Sequence, residues 1–181
     1  MADERAMNRL GTLCGQHLAI AAGNLYPPEP IIPLGMLMKQ SFWSGATQEF
    51  RRFVVAGPAD SIDFPSSVSV ANQWLGEEIN RKRTCALIFD GYLRGKNAER
   101  RDCLVQKIVA LKDRVMVDVF YPYYLLEDNI VQIEKPICEA FNIDGSFEPT
   151  PSGVNLDGFI GSVRHSFSGT QSSEGNVRLW A

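Results

Sequence analysis

Three apolar runs in the middle of the chain, at 85–94, 102–111 and 115–121, constrain the fold more than any other feature. Each is rich in aliphatic, β-branched and aromatic residues, and the breaks between them, "GKNAERR" and "KDR", are short and charged. Short breaks join antiparallel neighbours, because a parallel crossover needs a dozen residues or more. The first run contains Asp90-Gly91, the strongest short hairpin signal a sequence carries. A turn there would leave only Tyr92, Leu93 and Arg94 to return, and 102–111 would lack a partner. A turn within "GKNAERR" pairs two full-length strands and buries more. The sequence therefore predicts a hairpin tip between Gly95 and Arg101, with Asp90 in mid-strand and Gly91 marking a bulge.

In that register Arg94 lies opposite Asp102, Tyr92 opposite Leu104, Asp90 opposite Gln106 and Ile88 opposite Ile108. A tight turn at "KDR" sets Ile108 beside Asp118 and Gln106 beside Phe120. Side chains alternate across a strand. One face thus collects Leu87, Phe89, Leu93, Cys103, Val105, Val109, Leu111, Val115, Val117 and Val119, with Lys107 as its one charge. This is the expected core face. The other face mixes Ile88, Asp90, Tyr92, Arg94, Gln106, Asp118 and Phe120. It is too apolar for plain solvent surface and too polar for a core, and it is the expected interaction face.

Around these strands the chain reads as α+β. Residues 2–23 form a helix, with Met7, Leu10, Leu13, Cys14, Leu18 and Ala21 on one side and a stop at Gly23-Asn24. "YPPEPIIP" runs extended. "LGMLMKQ" and "EFRRFVVAG" read as strands, 66–81 as a helix, and "IVQIEK" as a further strand. The expected architecture is an antiparallel sheet of about five to six strands with two helices on one face. The element order is helix-strand-strand-helix-strand-strand-strand. One domain spans 1–141. A Gly/Ser-rich, irregular extension, 142–181, docks on it in part.

Net charge is -3 and 45% of residues are hydrophobic. A weakly acidic chain has no global attraction to phosphate backbones or anionic lipid, so neither nucleic acid nor membrane is an expected partner. "MADERAMNRL" has no apolar core of a secretory signal, and no stretch approaches the roughly 18 apolar residues of a spanning helix. Cys14, Cys85, Cys103 and Cys138 are scattered, which suits buried thiols in a reducing cytoplasm and gives no metal spacing. No cofactor motif occurs.

Candidate chemistry is sparse. Asp90 and Asp118 fall roughly 12 Å apart in this register, beyond the roughly 5–9.5 Å of paired glycosidase carboxylates. Asp60 and Asp63 precede the second helix, where capping is the simpler role. Lys96, Arg100 and Arg101 make "RGKNAERR" a candidate anion-binding loop. His165 lies near Ser166 and Ser168 without a nucleophile-elbow context.

Over residues 2–124 the order of elements resembles that of the profilin-like and Roadblock-type adaptors. That resemblance is in order alone and implies a small adaptor fold. Small acidic α+β secretion chaperones and immunity proteins are similar in the same loose sense. The expectation is a non-enzymatic protein-interaction or regulatory module acting through the mixed face, self-associating as a homodimer. The alternatives are a small hydrolase or transferase using Asp60, Asp63 or Asp90, and a small-ligand sensor.

Overall fold

The computed structural model describes residues 4–41, 45–57, 59, 61–111, 115–142, 155–170 and 176–181. In chain order the elements are α1 (Glu4–Ala22), β1 (Leu34–Ser41), β2 (Gly45–Arg52), α2 (Phe64–Asn80), β3 (Cys85–Arg94), β4 (Arg100–Ala110) and β5 (Val115–Leu125). Then follow a 3-10 turn at Glu127–Asn129, β6 (Val131–Ile133), β7 (Ile137–Asn142), α3 (Leu156–Thr170) and β8 (Val177–Arg178). The fold is α+β. Among the described residues eight strands run in the order β2-β1-β3-β4-β5-β6-β8, with β7 also pairing β5. All described pairings are antiparallel except β6 with β8, so the sheet is mixed.

Local sequence explains most boundaries. α1 stops at Gly23, where Gly23 N–H bonds Ala19 O and the Asn24 side chain bonds Ile20 O. α2 opens on Asp63, whose carboxylate accepts from Ser66 N–H at 3.2 Å and Ser66 O–H at 2.7 Å, with Pro65 in the first turn. The second strand lies earlier than expected, since residues 53–57 are loop. β5 continues past Tyr121 through Pro122.

The hairpin tip falls at Gly95–Glu99, as the sequence predicts, with Ala98 at a φ of 59° inside it. Asp90 is in mid-strand, but Gly91 pairs directly with Cys103, so no bulge interrupts the ladder. The tip is tighter than expected, and the pairing shifts by two: Ile88 faces Gln106, Asp90 faces Leu104 and Tyr92 faces Asp102. An even shift keeps each residue on its face. The next turn is one residue longer than expected. Gln106 faces Val119 and Lys107 faces Asp118, an odd shift that exchanges the sides of β5. "KDR" itself lies outside the described residues.

That exchange decides where the core sits. Val115, Val117, Val119 and Tyr121 join Ile88, Leu104 and Ile108 on the face covered by α1 and α3. This is the face expected to be mixed, and it holds the larger hydrophobic cluster. The face expected to be the core carries α2 over Leu37, Phe53, Cys85, Leu87 and Val109. The helices therefore lie on both sides of the sheet rather than on one.

The extension is not wholly irregular. α3 buries Phe159, Val163 and Phe167, four residues apart, beneath α1. Asn155 caps it by accepting from Gly158 N–H at 2.9 Å. Trp180 then packs against Tyr121, with ring centroids 6.5 Å apart. Helices α1 and α3 run parallel and nearly touch through Gly11 and Gly15, facing Ser162 and Ser166. Among the described residues no helix is long and apolar enough to cross a membrane.

Candidate functional site

The residues of the expected interaction face go to three different places. Ile88 and Gln106 are fully buried. Gln106 is the hub of a closed polar network beneath α1. Its amide donates to Cys14 O at 3.1 Å and to His17 Nδ1 at 3.1 Å, and its carbonyl accepts from Tyr121 O–H at 2.8 Å. His17 Nε2 donates to Leu34 O at 2.8 Å. Every polar atom of the network has a partner, which is the condition under which buried polar groups stabilise rather than cost. These bonds fix a neutral imidazole, and burial holds the His17 pKa down at about 4. Tyr121→Phe should leave the Gln106 carbonyl short of a donor and cost about 1–3 kcal/mol in urea denaturation.

Asp90 answers the question of the mid-strand carboxylate. Its Oδ2 accepts from Ile31 N–H at 2.6 Å and its Oδ1 from Tyr123 O–H at 2.7 Å. It pins the proline-rich segment after α1 to the sheet. Burial pushes its pKa up, while the Tyr123 and Ile31 bonds pull it back. Tyr92 and Arg94 lie further out, where β3 and β4 go on pairing with each other after the β4–β5 ladder ends at Cys103–Pro122 and β5 turns to pair with β6. Tyr92 is 48% exposed. The guanidiniums of Arg100 and Arg94 lie 4.6 and 5.8 Å from its ring centre. Of the candidate anion loop, Arg100 is thus drawn to Tyr92, Arg101 pairs with Glu134, and Lys96 is exposed at the tip.

Asp118 and Phe120 are on the opposite side of the sheet from Asp90 and Gln106, beside α2 rather than α1. Asp90 and Asp118 therefore cannot converge on one substrate. Asp63 is committed to the cap and Asp60 lies outside the described residues. His165 is exposed on α3, while Ser166 turns inward and donates to Thr12 O at 2.6 Å. Burial raises all four thiols, those of Cys85, Cys103 and Cys138 to about 12, which leaves no thiolate nucleophile at neutral pH. Among the described residues no group of three or more His, Cys, Asp or Glu side chains could hold a metal ion.

What remains is a surface that single residues do not reveal. The registers align Phe89, Val105, Phe120 and Ile137 in one row across β3, β4, β5 and β7. Beside it runs a charged row, Lys107, Asp118 and Glu139. α2 packs on β1 and β3, and Val105, Phe120 and Ile137 belong to neither hydrophobic cluster. Ile137 is 53% exposed. Burial raises the Asp118 pKa, Lys107 lowers it and Glu139 raises it again. Among the described strands β7 pairs with β5. The sequence reading names Asp118 and Phe120 but not Ile137 and Glu139, because it assigns no element to 137–141; the alternation in "ICEAF" is the available signal. Compared with protein-family models, curated proteins and solved structures, the chain matches none.

Proposed function

We propose that the chain is a non-enzymatic interaction module and that it self-associates through the half of the α2-side sheet face lying beyond α2. The observation that carries this reading is the apolar row that continues from Phe89, packed against the α2 cluster, through buried Val105 to Phe120 and the 53% exposed Ile137, the last three outside both hydrophobic clusters. Soluble proteins rarely leave a contiguous apolar surface uncovered. The charged row argues for a second copy as the occupant. It reads Lys107, Asp118, Glu139 across three strands. A two-fold axis that lays β4 of one copy over β7 of the other sets each Lys107 against Glu139 of its mate and brings the two Asp118 carboxyls, whose pKa burial raises, together on the axis. An isologous interface needs that self-complementarity.

Sedimentation at several concentrations tests the reading. Wild type should associate, and Phe120→Asp should weaken association about 10-fold or more while remaining folded. Lys107→Glu should weaken it as well, and adding Glu139→Lys should restore it. A wild-type chain that stays monomeric at high micromolar concentration ends the proposal. So does a charge swap that fails to rescue.

A further inference from the structure

A second surface, separate from the apolar row, sits at the other end of the same sheet face. There the last turn of α2 meets β1 and β2 around a groove of about 200 Å³. Leu37 and Trp74 form its apolar wall, and its rim carries four cations, Lys39, Arg51, Arg81 and Arg83, against two carboxylates, Glu49 and Glu78. The surplus is two positive charges, on a chain whose net charge is -3. General solvation of a charged face does not explain the way these groups are held. Glu78 is only 2% exposed. It bonds Arg81 Nη1 at 2.8 Å through one oxygen and Arg83 Nη1 at 3.2 Å through the other. One buried carboxylate thus braces two guanidiniums by a single nitrogen each. Each guanidinium has five N–H donors in a fixed fork, so most remain for a ligand. Both arginine side chains are about half exposed, at 57% and 46%. Across the groove Arg51 rests over the Phe53 ring, 5.8 Å from its centre. Lys39 pairs with Glu49, whose carboxyl is held below the usual range by Lys39 first and by Arg51 and Arg83 as well.

We propose that this groove binds a phosphate dianion, free or as the end of a small phosphomonoester, with Arg51, Arg81 and Arg83 as its donors. A phosphomonoester carries about -1.5 to -2 charge at neutral pH, which matches the surplus. Bidentate guanidinium forks suit its oxygens better than ammonium groups do. Glu49 is the competing anion, and Lys39 is the cation released to the ligand when Glu49 is displaced. Trp74 forms the wall against which an ester substituent would lie.

The test is isothermal titration of the folded chain with inorganic phosphate and with phenyl phosphate, at constant ionic strength made up with chloride. One equivalent should bind. Arg51→Gln should weaken binding about 10-fold or more, since a charge-assisted bond is lost. Glu49→Gln should strengthen it about 3-fold or more, since an internal competitor is removed. Arg51 and Glu49 are both exposed strand residues, so neither change threatens the core. Tighter binding of phenyl phosphate assigns the site to esters, and equal binding assigns it to free phosphate. No saturable heat by ~10 mM of either ligand overturns the proposal. Binding that Arg51→Gln leaves unchanged overturns it too.

Discussion

Gly15→Ala is expected to destabilise the protein by about 2–3 kcal/mol, although alanine is the better helix former by about 1 kcal/mol. The sign is the test. Gly15 lies in the middle of α1, where helix propensity alone predicts a gain. A Cβ there would collide with Val163 O and come within 2.7 Å of Ser166 Cβ. The obstacle is mostly backbone of α3, which cannot move aside as a flexible side chain can. Gly11 makes the same close approach, 2.5 Å from Phe159 O. The two helices must therefore separate to admit a methyl group, and Phe159, Val163 and Phe167 would lose part of their burial. Gly76, inside α2 with nothing within 4 Å of its missing Cβ, is the control. Gly76→Ala should stabilise by about 1 kcal/mol. Urea denaturation of wild type and both variants checks it. A gain at Gly15 comparable to that at Gly76 would mean that α3 does not pack closely on α1.

Stability should fall by about 3 kcal/mol between pH 6.5 and pH 4 on account of His17 alone. Burial lowers its folded-state pKa from 6.5 to about 4. Between those values the unfolded chain binds a proton that the folded chain does not. The contribution is fully present above pH 6.5, is lost as pH falls, and levels off below about 4. Protonation in place would also turn Nδ1 from an acceptor into a donor facing the Gln106 amide. Asp90 and Asp118 act with the opposite sign, because burial raises their folded-state pKa values. Their ionised forms cost stability near neutrality, and protonation recovers it as pH falls, so they offset part of the His17 loss. Comparing wild type with His17→Gln by urea denaturation from pH 7.5 to 4 isolates the imidazole. The variant should be less stable at pH 7.5, and its stability should change less with pH. Parallel pH profiles would mean that His17 is not held neutral by its surroundings.

How much of this was legible varies by element. β3 was read with its correct ends, and α1 to within about one turn, because both rest on local signals: a continuous apolar run closed by a charged tip, and a stripe closed by Gly23-Asn24. α3 carries an equally regular stripe, Phe159, Val163 and Phe167. Its Gly and Ser residues weigh against helix on propensity and hid it. Those same small residues let the parallel helices approach so closely. The spacing of Gly11 and Gly15, met by that of Ser162 and Ser166, was the readable clue.

The sequence by itself determined that the centre of the chain is an antiparallel meander, that its hairpin turns between Gly95 and Arg101 and that Asp90 sits in mid-strand. It also determined the even-numbered set on β3 and β4, since an error of two in register leaves the faces unchanged. Only the tertiary structure decided what that set faces. One more residue in the turn before Val115 moves every valine of β5 to the other side, and pattern alone resolves turn length no better than that. With Val117, Val119 and Tyr121 added, a face that looked mixed becomes the main core, and Gln106 becomes its buried hub. With Asp118 and Phe120 removed to the other side, and Ile137 and Glu139 brought beside them by β7, a surface forms from residues that no local reading could assemble. Burial is a property of which strands become neighbours, and neighbours distant in sequence are chosen by packing.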